Sequence, residues 1–342
     1  GASTIYRWLN VPEDMLVYGV PFLRMRSIGL LLVFVSLAFI AFMKAVKNTK
    51  VPMIISVIGL GAFFFLDYSL ILGKFGFPKM GLMGSAIASI VQYSLVAGLG
   101  FWYIVWNPDY RKYFSRFFVT YFSTKRVLRI LNLSWPVVID KGSLAFAYVW
   151  LAKMTATMGK GAIASMDVVK NLERFAMLPA IALAQIIIFL VSNRLGAKDE
   201  DGARANIKKV MILAAIMVSF ALIVLCIKAR YFVSLFDPNN VFTDMVVTGL
   251  PFISLLVVFD FIQLILAGSL RGAGDVRTVM TVRFLSCFGF LVPVSYLFAH
   301  MDISSVTVKF TLVYSCFYIN TGVMGMIFLW RIMGRAWQRV KV

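Results

Sequence analysis

Long apolar runs alternate with short polar segments from one end of the chain to the other. Nine such runs can be read, at 18–43, 51–73, 82–106, 131–158, 162–193, 208–229, 244–270, 278–299 and 306–331. Each exceeds the roughly 20 residues that a helix needs to cross ~30 Å of hydrocarbon. The pattern therefore predicts nine transmembrane helices. Composition agrees, since 61% of the 342 residues are hydrophobic, against about 45–50% in soluble domains. The expected fold class is an all-α polytopic membrane protein.

A formal net charge of +19 would suit a nucleic-acid partner if the basic residues formed one patch. They do not. Twenty Lys and Arg fall in one alternate set of loops and the C-terminal tail, from Lys44, Lys47 and Lys50 through Arg194 to Arg335, Arg339 and Lys341. The opposite loops hold five, namely Lys74, Lys79, Lys160, Lys228 and Arg230. Such asymmetry is the positive-inside signature; it excludes nucleic acid as a partner and predicts a cytoplasmic C-terminus. An odd helix count then leaves Gly1 outside, and "GASTIYRWLN" carries no signal sequence to take it there. A chain lacking its upstream helices is the expectation. Cys226, Cys287 and Cys316 all fall inside predicted helices, which argues against disulfides and metal clusters. His300, in an outer loop, is given no function.

The chain also repeats itself. "YGVPFL" at 18–23 recurs as "TGLPFI" at 248–253, each opening a long apolar helix. Those helices end in "MKAVKNTKVPM" and "LRGAGDVRTVM", where Lys44, Asn48, Lys50 and Met53 match Arg271, Asp275, Arg277 and Met280. Two related halves follow: 1–108 as the last three helices of an N-terminal bundle, 109–130 as a basic cytoplasmic linker, and 131–342 as a C-terminal six-helix bundle with a basic tail. Five segments now stand in a familiar order: "VPEDMLVYGVPFLRMRSIG", "LDYSLILGKFGFPKMGLMGSAIAS", "LSWP", "VSNRLGAKDEDGARA" and "SLRGAGDVR". With these the sequence resembles the MATE (multidrug and toxic compound extrusion) transporters over essentially its whole length. The resemblance implies two pseudo-symmetric six-helix bundles, of whose twelve helices nine are present.

The glycine-rich turn "RGAGDVR" lacks the Lys-Ser/Thr pair of a P-loop and the third glycine of a dinucleotide fingerprint. Its residues read as structural. Arg271 complements a helix C-terminus, Gly272 or Gly274 permits a left-handed cap, and Asp275 caps the next helix. "RLGAKD" at 194–199 has the same layout.

Charges inside a membrane are functional candidates by default, so each was given a depth from the basic residue at its helix end, at ~1.5 Å per residue. Asp67, Lys153 and Lys309 fall at the outer boundary. Asp167, Lys170, Glu173 and Arg174 fall there too, as a mutually neutralising cluster. Asp260 and Asp140 each lie 11 residues from their anchors, Arg271 and Arg129, or ~16 Å in, near the midplane. Lys141 neighbours Asp140, Asn320 reaches the same level from Arg331, and Gln185 and Gln263 lie within a turn or two. An unpaired carboxylate there costs at least ~2.5 kcal/mol, and it gains from holding a proton or a cation. The alternative is that Lys141 pairs permanently with Asp260 or Asp140.

The resemblance adds roles. "DFIQ" at 260–263 followed by "LRG" is similar to the tenth-helix pattern in which sodium-coupled members place a cation-binding aspartate, which implies cation coupling, and a possible Na+ site, at Asp260. The seventh-helix glutamate of those members is matched here by Leu144, with Asp140 one turn away as a substitute. Antiport of amphipathic, often cationic organic compounds against H+ or Na+ is implied, with no other cofactor and no enzymatic step. Lys141, Gln263, Gln185 and Asn320 are candidate cavity lining. Two alternatives remain open: a lipid-linked precursor flippase of the wider superfamily, for which Lys141 alone speaks, and a membrane subunit completed by another chain.

Overall fold

A computed structural model describes residues 13–115, 123–237, 241–334 and 337. The chain divides into two compact units, Gly1–Phe122 and Ser123–Val342. The first holds α1 (Glu13–Ala45), α2 (Lys50–Leu72), α3 (Leu82–Trp106) and the short α4 (Pro108–Ser115). The second holds α5 (Thr124–Ala156), α6 (Lys160–Ala176), α7 (Leu178–Gly196), α8 (Glu200–Ile227), the short α9 (Ala229–Ser234), α10 (Thr243–Gly272), α11 (Val276–Ser286), α12 (Val292–His300) and α13 (Val306–Met333). No strand occurs among the described residues.

Among the described residues, eight spans have the length and apolar content to cross a membrane, with α11 and α12 forming a single one, Val276–His300. The helix expected over 131–158 is α5; it has ample length at 33 residues, but Asp140 and Lys141 interrupt its apolar run. Large apolar side chains such as Leu31, Phe34, Phe220 and Leu255 point outward, as they do when the surrounding solvent is lipid. Small residues such as Ala180, Ala184, Ala267 and Ser269 are buried between helices. Without a hydrophobic drive between them, membrane helices associate by such close contacts.

Helix α10 is the axis of the second unit. Its partners α7 and α13 both run in its own direction. On one side, a Cβ at Gly268 would come within 2.7 Å of the Ala184 carbonyl oxygen, and one at Gly272 within 2.5 Å of that of Ile188. Glycine at both positions of this four-residue spacing lets the two backbones touch. On the other side, Gly249 meets Thr311, Gly322 meets Phe259 and Gly325 meets Gln263. The pairing advances in step along both helices, which fixes their register.

Two helices are irregular where proline predicts it. The run 162–193, expected as one helix, is α6 and α7, joined at Met177 with Pro179 in the first turn of α7. Met177 N–H still donates to Glu173 O at 2.8 Å and Ile181 N–H to Met177 O at 2.9 Å, so the rod bends without breaking. Between α11 and α12 lies a π-helical turn, Cys287–Leu291, just before Pro293, a common source of kinks. Pro21, Pro136 and Pro251 sit inside continuous helices.

The internal repeat appears in side-chain chemistry as well. Asn48, after α1, accepts from Val51 N–H at 3.3 Å and donates to the Tyr103 hydroxyl of α3 at 3.1 Å. Asp275, after α10, accepts from Thr278 Oγ1 at 2.6 Å and from Arg331 Nε of α13 at 2.8 Å. Positions matched by the repeat thus each bond the residue three further on and a side chain of another helix, neutral in one unit and ionic in the other.

The loop before α10 turns on Asp237. Its carboxylate accepts from Val241 N–H (3.0 Å), Phe242 N–H (2.8 Å) and Thr243 Oγ1 (2.8 Å). Burial pushes this acid up, but the bonds from Phe242, Thr243 and Val241 outweigh it and hold the carboxyl below its usual range. Its contribution to stability is therefore present above the unfolded value of about 3.9 and is lost as pH falls through the lower folded value. Asp237→Asn should lower the melting temperature in detergent at neutral pH and shrink that deficit on acidification below about pH 4. The glycine contacts give a second test. Gly272→Ala, which drives a methyl into the Ile188 carbonyl, should cost about 1–3 kcal/mol of stability. Gly98→Ala on α3, where nothing lies within 4 Å, should be neutral or stabilising by up to ~1 kcal/mol, and thermal unfolding of the two variants should separate them.

Candidate functional site

Helices α5 and α11 run side by side in the same direction, and their contact brings three charges together. Asp140 is buried, at 1% exposure. Its Oδ1 accepts from Arg283 Nε of α11 and its Oδ2 from Arg271 Nη2 of α10, both at 2.5 Å. Arg283 is itself buried, at 5% exposure, and Lys141 is exposed at the edge of the group. One carboxylate thus clamps three helices between two guanidinium groups. The sequence reading set Asp140 level with Asp260, which this geometry corrects. Helix α5 begins at Thr124 and extends ~50 Å, so Arg129 does not mark the membrane edge. Asp140 instead meets Arg271, the residue lying 11 positions beyond Asp260 on α10. Both of its oxygens are taken, and a visiting cation would have to displace an arginine.

The turn residues change role as well. Arg271 serves Asp140 rather than its own helix end. Gly274, at φ 83°, takes the left-handed position, whereas Gly272 lies within α10 and serves the approach to α7. Asp275 bonds Thr278 and Arg331 instead of a backbone amide. In "RLGAKD" the left-handed residue is Lys198 (φ 58°), not the glycine, and Asp199 both caps α8 through Gly202 N–H (2.8 Å) and pairs with Arg194 (2.7 Å).

A second acidic group was not expected. Glu173 on α6, read as part of an outer cluster, is buried at 3% exposure. Its Oε2 accepts from the hydroxyls of Tyr314 (3.0 Å) and Tyr318 on α13, while Oε1 is buried without a hydrogen-bond partner. Asp167 and Arg174 are exposed, as the face they share with Lys170 requires. Glu173 points the other way. The signal was available: Ala162, Met166, Val169, Glu173 and Ala176 fall at helical spacing on one buried stripe, and an acid on an apolar stripe calls for a partner inside. Arg283 escaped because only six residues, ~9 Å of rise, separate it from its anchor Arg277.

Asp260 lies half-buried on α10, and among the described residues no hydrogen bond or ion pair engages its carboxylate. It interacts electrostatically with Glu173, Tyr148, Tyr318 and the Arg283 guanidinium. Tyr148 stacks on Phe317 at 5.1 Å and carries Lys170 Nζ over its ring at 5.0 Å. The result is a polar cluster inside the second unit, contributed by α5, α6, α10 and α13. Gln263 and Asn320 are buried nearby on the α10–α13 seam, with Gln263 Nε2 and Asn320 Oδ1 lacking partners. Gln185 is exposed on α7, turned away from Ala184 and Ile187. Among the described residues, no three His, Cys, Asp or Glu converge for a metal ion, and Cys226, Cys287 and Cys316 are free thiols.

A bundle of apolar helices enclosing buried acidic groups and capped by basic turns is the architecture of an integral membrane protein. The MatE family model matches residues 136–297. It is similar to the "Multidrug resistance protein NorM" of Photobacterium profundum, with 28% identity over 82% of this chain and 64% of that protein. It also matches the "Probable multidrug resistance protein NorM" of Thermotoga maritima, with 25% identity over 75% of this chain and 55% of that protein. The chain thus spans 55–64% of the length of these relatives. Its fold matches an outward-facing multidrug resistance MATE family transporter of the MOP superfamily, at TM-score 0.86 and 15% identity over 99% of this chain and 74% of that one. A MOP superfamily transporter from Pyrococcus furiosus matches at TM-score 0.85 and 15% identity over 98% and 74%.

The clamp is open to direct test. Asp140→Asn leaves two guanidinium groups facing each other in an apolar setting and should cost about 3–5 kcal/mol. Arg271→Gln, which leaves Asp140 paired with Arg283, should cost less than half of that, read by thermal unfolding in detergent.

Proposed function

We propose that this protein is a secondary active antiporter that exports amphipathic, often cationic organic compounds in exchange for H+ or Na+ by alternating access. It would work in a bacterial inner membrane with its C-terminus in the cytoplasm, the side favoured by the basic loops. The observation that carries the reading is Asp260, a carboxylate on a membrane helix with no hydrogen-bond or ion-pair partner. Arg283, the cation it senses, is already bound to Asp140. An unpartnered acid in that setting gains from a proton or a cation, and a ligand shifts a two-state equilibrium only through its different affinity for the two states. A charge-neutralised Asp260 then favours the state that releases substrate. The names of the relatives support the substrate class, and Gln263 and Asn320, with unpartnered polar atoms in the helix seam, support a lined path at that level.

A second reading, the flippase for a lipid-linked precursor, draws on Lys141, Arg271 and Arg283, three cations around the single carboxylate of Asp140. The test is energy-dependent efflux of a fluorescent organic cation from vesicles containing the full-length protein. Asp260→Asn should abolish the dependence on the ion gradient while leaving expression and melting temperature unchanged. Undiminished, gradient-driven efflux by that variant would overturn the assignment, and absence of efflux by the native protein would favour the flippase.

A further inference from the structure

Glu173 is the feature that the reading above leaves unused. It is buried at 3% exposure, and its two oxygens are treated unequally. Oε2 accepts from two tyrosine hydroxyls of α13. Oε1, equally buried, has nothing. A permanently ionised carboxylate in an apolar core would be expected to use all its acceptor capacity, because each unmade bond to a buried charge is costly. The pattern suits a group that is ionised for part of a cycle and carries a proton on Oε1 for the rest, while the tyrosines hold its orientation in both forms. Among the described residues, no three His, Cys, Asp or Glu gather around it to hold a metal ion.

The surroundings allow the group to change charge. Facing it are Tyr148 of α5, Asp260 of α10, and Tyr314 and Tyr318 of α13. Lys170 of its own helix lies over the Tyr148 ring, and Arg174 acts on that ring from further off. Arg283 of α11 stays on Asp140. No cation is bonded to Glu173, so nothing locks it in the ionised form. Asp260 acts on it electrostatically and opposes simultaneous ionisation, since like charges disfavour one another.

We propose that Glu173 is a second proton-carrying carboxylate, so that the unit takes up one proton on Glu173 and another ion on Asp260 in each cycle. This rests on the antiport reading and extends it to a residue on α6. It also answers the departure at Leu144, because a second acid reaches the cluster from a different helix.

The experiment counts protons. Purified full-length protein in weakly buffered detergent is loaded with a fluorescent organic cation, and proton release on binding is read with a pH indicator across the titration range. With Glu173→Gln, the protons exchanged per substrate should drop by about one, whereas Glu173→Asp, which keeps a titratable group, should restore the native count. An unchanged count in a folded Glu173→Gln variant overturns the proposal. So does Na+ release in place of the lost proton. If Glu173→Gln does not fold, infrared difference spectra of Tyr318→Phe decide. Loss of one hydroxyl donor must shift a protonated-carboxyl band, and a spectrum without such a shift overturns the proposal. Asp260→Asn run in parallel separates the two claims. A lost gradient response in Asp260→Asn with an unaltered proton count in Glu173→Gln removes only the inference about Glu173, whereas an unaffected Asp260→Asn removes the antiport assignment beneath it.

Discussion

Hydrocarbon cannot solvate a charge, and the second unit is organised around that constraint. Each acid facing its interior meets the constraint in a different way. Asp140 is neutralised by Arg271 and Arg283, at the junction of three helices. Glu173 is held by two tyrosine hydroxyls and no cation. Asp260 has neither. The series runs from a fully paired group, which is structural, to an unpaired one, which has something to gain from an ion. A buried pair such as the Asp140 clamp is weak evidence for net stability, because the desolvation of both partners opposes their attraction. What it does supply is geometry: α5, α10 and α11 can share one carboxylate only in one arrangement, and that arrangement sets where Asp260 faces.

Helix α10 transmits this. Gly268 and Gly272 bring its backbone against α7 so closely that a single Cβ would meet a carbonyl oxygen within 2.7 Å. That contact admits no sliding of one helix along the other without separation. Its other face is in register with α13, which carries the two tyrosines on Glu173. The departures from regular helix lie elsewhere, at Met177 between α6 and α7 and at Cys287–Leu291 between α11 and α12. The elements bearing Glu173 and Arg283 are thus those with a built-in irregularity.

Much of this architecture is legible from hydropathy alone, because a segment long enough to cross the membrane has to be both apolar and helical. The location of the spans, the proline bend before Ala180 and the internal repeat all follow from local sequence. Side-chain partnerships do not, since they depend on which helices touch. Depth counted from a basic residue misplaces Asp140 because it takes that residue as the membrane edge, whereas Arg129 lies inside a 33-residue helix that begins at Thr124. The same count fails for Glu173 because rise along an axis says nothing about rotation around it. Helical-wheel placement, applied to Glu173 as it was to Asp167, Lys170 and Arg174, would have turned the residue inward.

The repeat shows how the same backbone plan carries different electrostatics. Asn48 and Asp275 occupy matched positions and each bonds a side chain of another helix, Tyr103 and Arg331 respectively, yet the first pair is neutral and the second charged. A neutral clamp needs no compensation. An ionic one brings a carboxylate and a guanidinium to the basic end of α10, one helical turn from the Arg271 that reaches Asp140. In the second unit, then, the turn after α10 is continuous with the buried charge network, while in the first it is an isolated hydrogen-bonded corner. Among the described residues of the second unit, helix-end cations thus run from Arg331, at the surface, to Arg271 and Arg283, which hold the buried Asp140.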